Sequence, residues 1–187
     1  MTKRIADHRT RLLEAAEKST YRYGFGNTAI ADIAVEARIP LGNVYYYFKT
    51  KDEIAGAIVN LRVSRFRKLL EELDKADSPK QRLCAFVDIK MNNRRELARH
   101  GCPVGTLCSE LRKLGGPAAS KSTVLFSTAL EWMEKQFQAL GKGAGSRLLA
   151  VHLLSATQGV SALAHTFGDS GLIQMEALHL KDWIRSL

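Results

Sequence analysis

The sequence predicts an all-α protein with a three-helix head of the helix-turn-helix type and a larger helical body, about nine helices in all. Proline is scarce, with four residues in a chain of 187, and no alternation of apolar and polar residues lasts long enough to indicate a strand. Glycine-rich clusters, some with proline, instead interrupt stretches of helical periodicity. We place the head at residues 1–62 and the body at residues 63–187.

Glycine, proline and hydroxyl side chains mark the helix ends in the head. The first helix is predicted at residues 9–23 and ends at Gly24, because glycine commonly terminates helices. Thr28 is placed to cap the second helix. Pro40 suits the first turn of the third helix, where a missing N–H costs nothing. The third helix is therefore predicted at about residues 40–48.

A fourth helix and five body helices follow. Thr50, with Glu53 three residues later, predicts a capping box at the start of a helix over residues 51–73. Beyond it, turns rich in glycine or proline separate the remaining helices. We predict these at residues 79–98, 105–113, 118–140, 144–167 and 171–186.

Composition and charge narrow the classes of protein that fit. The net charge is +9, but residues 1–60 carry nine Lys and Arg against seven Asp and Glu, so overall charge is weak evidence for nucleic-acid binding. No run of about 18 apolar residues predicts a membrane span, and the N-terminus has no apolar signal region, so we expect a cytoplasmic protein. The three cysteines do not indicate a disulfide framework. We expect no metal ion and no cofactor.

The third predicted helix has two different sides. Val44 and Phe48 stand four residues apart, so they share a side and are predicted to pack against the second helix and Phe25. The opposite side can face the major groove of DNA, where amides read base edges and hydroxyls reach phosphates. That outward side is formed by Leu41, Gly42, Asn43, Tyr45 and Tyr46.

Residues 28–34 and 39–54 resemble the DNA-binding head of the TetR family of repressors. The family pattern has Tyr-Gly-Phe before a threonine, then a glycine early in the recognition helix, followed at three-residue intervals by tyrosine, phenylalanine and lysine. Every element is present, as Tyr23-Gly24-Phe25, Gly42, Tyr45, Phe48 and Lys51. One departure is Pro40, where Ser or Thr often begins the third helix, and this removes one hydroxyl that could contact a phosphate.

The resemblance implies roles for individual residues of the head. Those expected to contact backbone phosphates are Thr28, Tyr45 and Lys51. Those expected to face bases are Leu41, Asn43 and Tyr46, with Phe48 in the scaffold. Packing inside the head is the favoured alternative for Tyr47, and a solvated helix end is the alternative for Lys51.

The resemblance also implies that the body binds a ligand and dimerises. The helices at 144–167 and 171–186 would pair with those of a second copy. The first of them is apolar on most sides, which suits a buried interface. Its apolar residues are Leu148, Leu149, Val151, Leu153, Leu154, Ala156, Val160, Leu163 and Ala164. The homodimer would present two recognition helices to a palindromic operator in double-stranded DNA. A small-molecule effector, which the sequence does not identify, would shift the fourth helix and release the operator.

The stretch from Gly101 to Leu111 resembles the Gly-Cys-x-x-Gly-x-x-x-x-Glu-Leu motif of a TetR subgroup, some of whose members respond to electrophiles or oxidants. Cys102 precedes a predicted helix, and a thiolate near a helix N-terminus is stabilised and reactive. The alternative is an inert buried cysteine, which we favour for Cys84 and Cys108. Further candidates for effector contact, each with core packing as its alternative, are Phe126, Trp132, Met133, His152 and His165.

Two other functions remain open at this point. Cys102 could be the nucleophile of a thiol-dependent enzyme with His100 or His152 as base, although no orienting third residue is evident. The second is a protein-interaction module with a degenerate head, but the intact Gly42, Tyr45 and Lys51 speak against it. The favoured interpretation is a ligand-responsive repressor, not an enzyme, released from its operator by a small molecule or an electrophile.

Overall fold

In the computed structural model, which describes residues 2–187 and side chains from Asp7 onward, the chain is a succession of helices. The predicted all-α class, with a helix-turn-helix head and a helical body, is confirmed. Within the described range the helices are α1 (Thr2–Tyr23), α2 (Ile30–Ala37), α3 (Leu41–Tyr47), α4 (Lys51–Leu73), α5 (Pro79–Asn92), α6 (Arg94–His100), α7 (Pro103–Leu114), α8 (Gly116–Ala139), a 3₁₀ turn (Gly143–Gly145), α9 (Ser146–Phe167) and α10 (Gly171–Ser186).

Most of these helices lie close to their predicted bounds. Helices α4 and α10 have the bounds that the sequence predicts, whereas α1 begins earlier, at Thr2. The predicted helix at 79–98 is two helices, because the backbone of Asn93 leaves the helical region (φ −101°, ψ 12°). The Asn93 amide donates to the Ile89 carbonyl at 2.8 Å, a local bond by which asparagine competes with helix propagation.

The start of α2 is capped differently from the prediction. Thr28 is not the N-cap, since α2 begins at Ile30 and Ala29 occupies the cap position. The Asp32 carboxylate accepts the Ala29 N–H at 2.8 Å. The Thr28 hydroxyl instead donates to the Gly24 carbonyl at 2.7 Å. A carboxylate at the third helical position therefore satisfies the free N–H.

The predicted capping box at the start of α4 is present in part. The Thr50 hydroxyl accepts the Glu53 N–H at 3.1 Å, as predicted. The Glu53 carboxylate, however, accepts the N–H of Lys49 at 2.7 Å, one residue before the position that the capping box requires.

Two compact units make up the described chain. The first extends from the N-terminal helix to Val63 and includes Thr106–Val124, and the second comprises Ser64–Gly105 and Leu125–Leu187. The boundaries fall inside α4, α7 and α8, so each of these helices has residues in both units. The head predicted at residues 1–62 thus belongs to a unit that also takes in part of the predicted body.

Each unit has its own apolar core. In the first unit, Arg62 is 8% exposed and pairs with the Glu17 carboxylate at 3.3 Å, which ties α4 to α1. Its buried side chains include Leu12, Ala16, Phe25, Ile33, Val44, Phe48, Ile54 and Ile58. The second unit has a large cluster that includes Leu83, Phe86, Met133, Phe137, Leu153, Leu180 and Ile184. A smaller cluster in the same unit joins Leu97, Ala98, Cys102, Ala164 and Ile173.

One helical stretch among the described residues, Gly143–Phe167, is long and apolar enough to cross a membrane. In its most apolar window, 39% of the residues are buried inside the chain. This stretch was not predicted, because polar residues interrupt its apolar run. Length and composition alone do not distinguish a membrane span from a helix that packs against protein.

Candidate DNA-binding interface and thiol site

Helix α3 is held in the head by one buried side. Val44 is fully buried and Phe48 is 3% exposed, as predicted. The Arg9 guanidinium lies 5.2 Å from the centre of the Phe48 ring, and α2 packs against α3. The apolar side therefore fixes the orientation of a helix that is only seven residues long.

The opposite side of α3 is exposed, also as predicted. Tyr45 is 45% exposed and Tyr46 is 67% exposed, and Leu41, Gly42 and Asn43 are exposed as well. A methyl group added at Gly42 would meet nothing within 4 Å, so the backbone is open to close approach at this point. This side carries an amide and two phenol groups, which can hydrogen-bond to base edges and phosphates. The DNA contacts of the five residues remain predictions.

Tyr47 differs from its two tyrosine neighbours because it is half-buried. Its ring packs edge-on against Tyr46, with centres 5.1 Å apart, and against His8 at 6.4 Å. This placement agrees with a packing role for Tyr47.

Thr28 is nearly inaccessible, with 2% of its surface exposed. A hydroxyl group has one hydrogen to donate, and that of Thr28 goes to the Gly24 carbonyl. A phosphate contact by this hydroxyl, which the resemblance implies, would require the group to rotate away from Gly24.

Lys51 is engaged by the turn between α1 and α2. Its ammonium donates to the Gly26 carbonyl at 3.0 Å and lies 4.7 Å from the centre of the Phe25 ring. Burial lowers the pKa of Lys51 below its usual value, and the Glu110 and Asp32 carboxylates oppose that shift only in part. An ammonium has three hydrogens, so a phosphate can share this group with Gly26.

Glu110 also contacts this turn, a link to the head that the sequence did not predict. Its carboxylate accepts the Gly26 N–H at 2.8 Å. At Gly24 the backbone has φ +85°, and an added methyl group would lie 3.2 Å from both Glu110 oxygens. Because positive φ strains other residues, only glycine fits easily at this position. The two contacts link positions more than 80 residues apart in the sequence, so no local pattern reveals them.

A shallow cleft of about 540 Å³ lies beside α1 and α2 in the first unit. Its walls are formed by Ser19, Tyr23, Asn27, Thr28, Asp32, Val35 and Glu36. None of the residues predicted to contact an effector lines this cleft.

The Cys102 thiol has a distinctive setting within the second unit. Cys102 is 6% exposed as a residue. Its sulfur lies 3.4 Å from the Lys90 ammonium and accepts the Gly105 N–H at 3.4 Å. Burial by itself raises the pKa of Cys102, but the Lys90 charge and the Gly105 and Val104 N–H groups outweigh it, so the pKa lies below its usual value. The fraction of thiolate, the reactive form of cysteine, is therefore larger here than at an ordinary cysteine.

The other two cysteines have different settings. The Cys108 thiol is buried and donates to the Ser122 carbonyl at 3.4 Å. Burial raises the pKa of Cys84 above its usual value. Both observations agree with the packing roles predicted for them.

The other predicted effector contacts occupy dissimilar positions. Trp132 is 7% exposed and donates its ring N–H to Asp74 at 2.9 Å, and Phe126 packs against the same large cluster. His152 is exposed and packs edge-on against the Trp183 ring at 4.8 Å. His165 is also exposed, 3.2 Å from the Ala98 carbonyl. The two histidines therefore lie at the surface, and an effector role for any of these residues remains a prediction.

Helices α9 and α10 carry exposed apolar side chains. Along α9, one series of exposed positions recurs every three or four residues from Leu148 to Phe167, and its members are apolar except for Ser155 and Gly159. Exposed apolar side chains are also present on α10. The exposed fractions are 73% for Leu148, 40% for Val151, 52% for Leu163, 71% for Phe167, 63% for Met175 and 53% for Leu178. Three residues predicted for the dimer interface are instead buried within the chain itself, namely Leu153, Leu154 and Ala164.

Comparison with known proteins finds a family match in the head. Residues 12–58 match the family described as bacterial regulatory proteins, tetR family. An HTH-type transcriptional regulator of Lactococcus lactis is 29% identical over 87% of this chain and 91% of its own length. The transcriptional regulator AcuR of Cereibacter sphaeroides is 26% identical over 91% of this chain and 76% of its own length.

Solved structures share the fold over almost the whole chain. A TetR transcriptional regulator from Legionella pneumophila has a TM-score of 0.84 at 21% identity, covering 92% of this chain and 94% of that one. The reduced form of NemR from E. coli has a TM-score of 0.79 at 18% identity, covering 94% and 97%.

Proposed function

We propose that this chain, a helix-turn-helix, DNA-binding transcriptional regulator of the TetR family, is a repressor. A reactive small molecule releases it from DNA. Two copies bind a palindromic operator in the cytoplasm, and reaction at Cys102 weakens that binding. Because the family is one of transcriptional regulators, we do not retain the interpretation of Cys102 as an enzyme nucleophile.

The two-sided character of α3 carries the proposal. Its apolar side is buried at Val44 and Phe48, and its polar side is open at Asn43, Tyr45 and Tyr46. A recognition helix must meet both requirements, since it is fixed by its scaffold and offers hydrogen-bonding groups to base edges. All of these residues lie within the 12–58 match.

The exposed apolar stripe on α9 and α10 supports a homodimer. Leu148, Leu163 and Phe167 are each more than half exposed in the single chain. Large contiguous apolar patches on soluble proteins commonly mark interaction sites. The occupant that we propose is a second copy, because a two-fold dimer presents two α3 helices to the two halves of a palindrome.

The setting of Cys102 supports an electrophile as effector. The thiolate would attack the electron-poor carbon of a quinone or an unsaturated carbonyl compound, forming a C–S bond as the C=C π bond breaks. The displaced electron pair moves to the carbonyl oxygen, which takes a proton from water. The lowered pKa of Cys102 favours this reaction because it raises the thiolate fraction at neutral pH.

An adduct at Cys102 would disturb its packed surroundings. The sulfur belongs to the cluster with Leu97, Ala98, Ala164 and Ile173, and a close-packed cluster accepts extra atoms only if its members shift. Helix α7 begins at the next residue, Pro103, so it is the helix most directly displaced. The operator is released if the two α3 helices then cease to fit successive major grooves.

Titration of the regulator into fluorescent duplexes from the DNA that flanks its own gene tests this function. We expect a dissociation constant of ~10⁻⁸–10⁻¹¹ M for a palindromic duplex, and binding to a scrambled duplex at least ~10³-fold weaker. Addition of benzoquinone should then release the palindromic duplex. Equal affinity for both duplexes would contradict sequence-specific recognition, and binding that withstands the quinone would contradict the electrophile trigger.

A further inference from the structure

The Glu110 carboxylate lies against the turn that joins α1 to α2, within the first unit. It accepts the Gly26 N–H at 2.8 Å, and both of its oxygens lie close to Gly24. Glu110 lies in the stretch from Gly101 to Leu111, in the predicted body, yet its hydrogen-bond partner is a backbone group of the head. Neither the recognition helix nor the thiol site explains this contact.

The same turn holds other groups of the DNA-binding head. The Gly26 carbonyl accepts the Lys51 ammonium, the buried Phe25 ring packs against that ammonium, and the Gly24 carbonyl accepts the Thr28 hydroxyl. The position of the Gly24–Gly26 backbone therefore determines where Lys51 and the start of α2 lie. Helix α2 in turn supports α3.

We propose that Glu110 is a positioning residue for operator binding: its carboxylate fixes the turn at Gly24–Gly26 and, through that turn, Lys51 and α2. This inference rests on the proposed binding of an operator by α3. In this role Glu110 acts indirectly, through its hydrogen bond to the Gly26 N–H.

The negative charge of Glu110, considered without its hydrogen bond, would weaken DNA binding instead of supporting it. A carboxylate near a surface that receives phosphates repels DNA, so on charge alone its removal strengthens binding at every sequence. The hydrogen bond to Gly26 makes the contrary prediction, because it depends on the length of the side chain and on an acceptor oxygen. Charge and reach can therefore be separated by substitution.

Four proteins separate the two effects. The wild type and Glu110→Asp share a negative charge, but the shorter aspartate does not reach Gly26. Glu110→Gln and Glu110→Ala both lack the charge, but only glutamine retains an acceptor at the same distance. Glu131→Gln is the matched control, because Glu131 is exposed on α8 and lies in the second unit.

Operator affinity at 25 °C and its dependence on salt are the readouts, with the unfolding temperature measured alongside. We expect Glu110→Gln and Glu131→Gln to bind the operator within about threefold of the wild type. Glu110→Asp and Glu110→Ala should bind it about five- to tenfold more weakly, as loss of one hydrogen bond implies. We also expect the salt slope of the Asp and Ala variants to fall by about 0.9, the value for one phosphate contact, because Lys51 is no longer held in place.

Three results would overturn the inference. The first is an Asp variant that binds as tightly as the wild type. The second is tighter binding by both uncharged variants, which would mean that only charge matters. The third is a lowered unfolding temperature with unchanged affinity and salt slope, which would make Glu110 a stability residue alone. If Glu110→Ala does not fold, the wild-type and Asp pair decides the question.

Failure of the proposed function gives a different pattern. If the wild type does not distinguish the operator from a scrambled duplex, operator recognition fails and the role of Glu110 fails with it. If the wild type does distinguish them and all Glu110 variants behave alike, only the inference about Glu110 is overturned.

Discussion

The Lys90 ammonium lies 3.4 Å from the sulfur of Cys102, a residue that is 6% exposed. A cation at this distance stabilises the thiolate over the thiol. Burial alone would have the opposite effect, as it does at Cys84, whose pKa is raised. The Lys90 charge, together with the Gly105 and Val104 N–H groups, thus distinguishes Cys102 from the other two cysteines.

Replacing Lys90 should change the pH at which Cys102 reacts. Since the Lys90 charge lowers the pKa of Cys102, Lys90→Met should raise that pKa, shift the rise in alkylation rate to higher pH and slow the reaction at pH 7. Mass spectrometry of iodoacetamide labelling between about pH 6 and 10 measures this rate. Lys135→Met, at an exposed position on α8, should leave the profile unchanged. Superimposable profiles for Lys90→Met and the wild type would show that Lys90 does not tune the thiol.

Cys102 should be the residue through which an electrophile acts. Cys102→Ser should bind the operator as the wild type does but remain bound after benzoquinone is added, because a hydroxyl does not form the adduct at neutral pH. Cys84→Ser should be released like the wild type, since burial raises the pKa of that thiol. Fluorescence anisotropy of the bound duplex follows the release. Release of the Cys102→Ser variant at the wild-type quinone concentration would exclude Cys102 as the trigger.

A charge on the apolar stripe should prevent dimer formation. Leu163 is 52% exposed, so Leu163→Arg should fold normally but place an arginine where the second copy packs. We expect a mass near one chain by light scattering and a marked loss of operator affinity, because one head alone makes half of the contacts. Leu114→Arg is the control, at a position 62% exposed but outside α9 and α10. A Leu163→Arg variant that remains dimeric would place the interface elsewhere.

Lys51 offers a test of phosphate contact against a purely structural role. If its ammonium is shared between Gly26 and a phosphate, Lys51→Met should weaken binding to all duplexes alike and reduce the salt slope by about 0.9. If the ammonium serves only the turn, the salt slope should stay the same while the unfolding temperature falls. Affinities measured between about 50 and 200 mM salt distinguish the two cases.

The sequence predicted those features that depend on local spacing. Val44 and Phe48 stand four residues apart, so their shared burial follows from helix geometry alone, and the outward side of α3 follows with it. The start of α4 was predictable because Thr50 marks it. The break at Asn93 was not predicted, since asparagine is tolerated inside helices and only its bond to Ile89 reveals the interruption.

Features that depend on distant contacts could not be predicted. The Lys90–Cys102 pair joins α5 to the residue before α7, and the Glu110–Gly26 bond joins α7 to the head. The periodicity of α9 indicated an apolar helix but not which residues pack inside the chain. Leu153 and Leu154 do so, whereas Leu148 does not, because neighbouring helices cover only part of the surface of α9.

The most direct test of α3 as the recognition helix is the operator affinity of the double variant Asn43→Ala, Tyr45→Ala. Both residues are exposed on α3, so the variant should fold with an unchanged unfolding temperature. We expect specific binding to weaken by at least about tenfold, since a bidentate base contact contributes about 1–3 kcal/mol. Gln138→Ala, at an exposed position on α8, should bind as the wild type does. Wild-type affinity and specificity in the double variant would contradict the assignment of α3 as the helix that reads DNA.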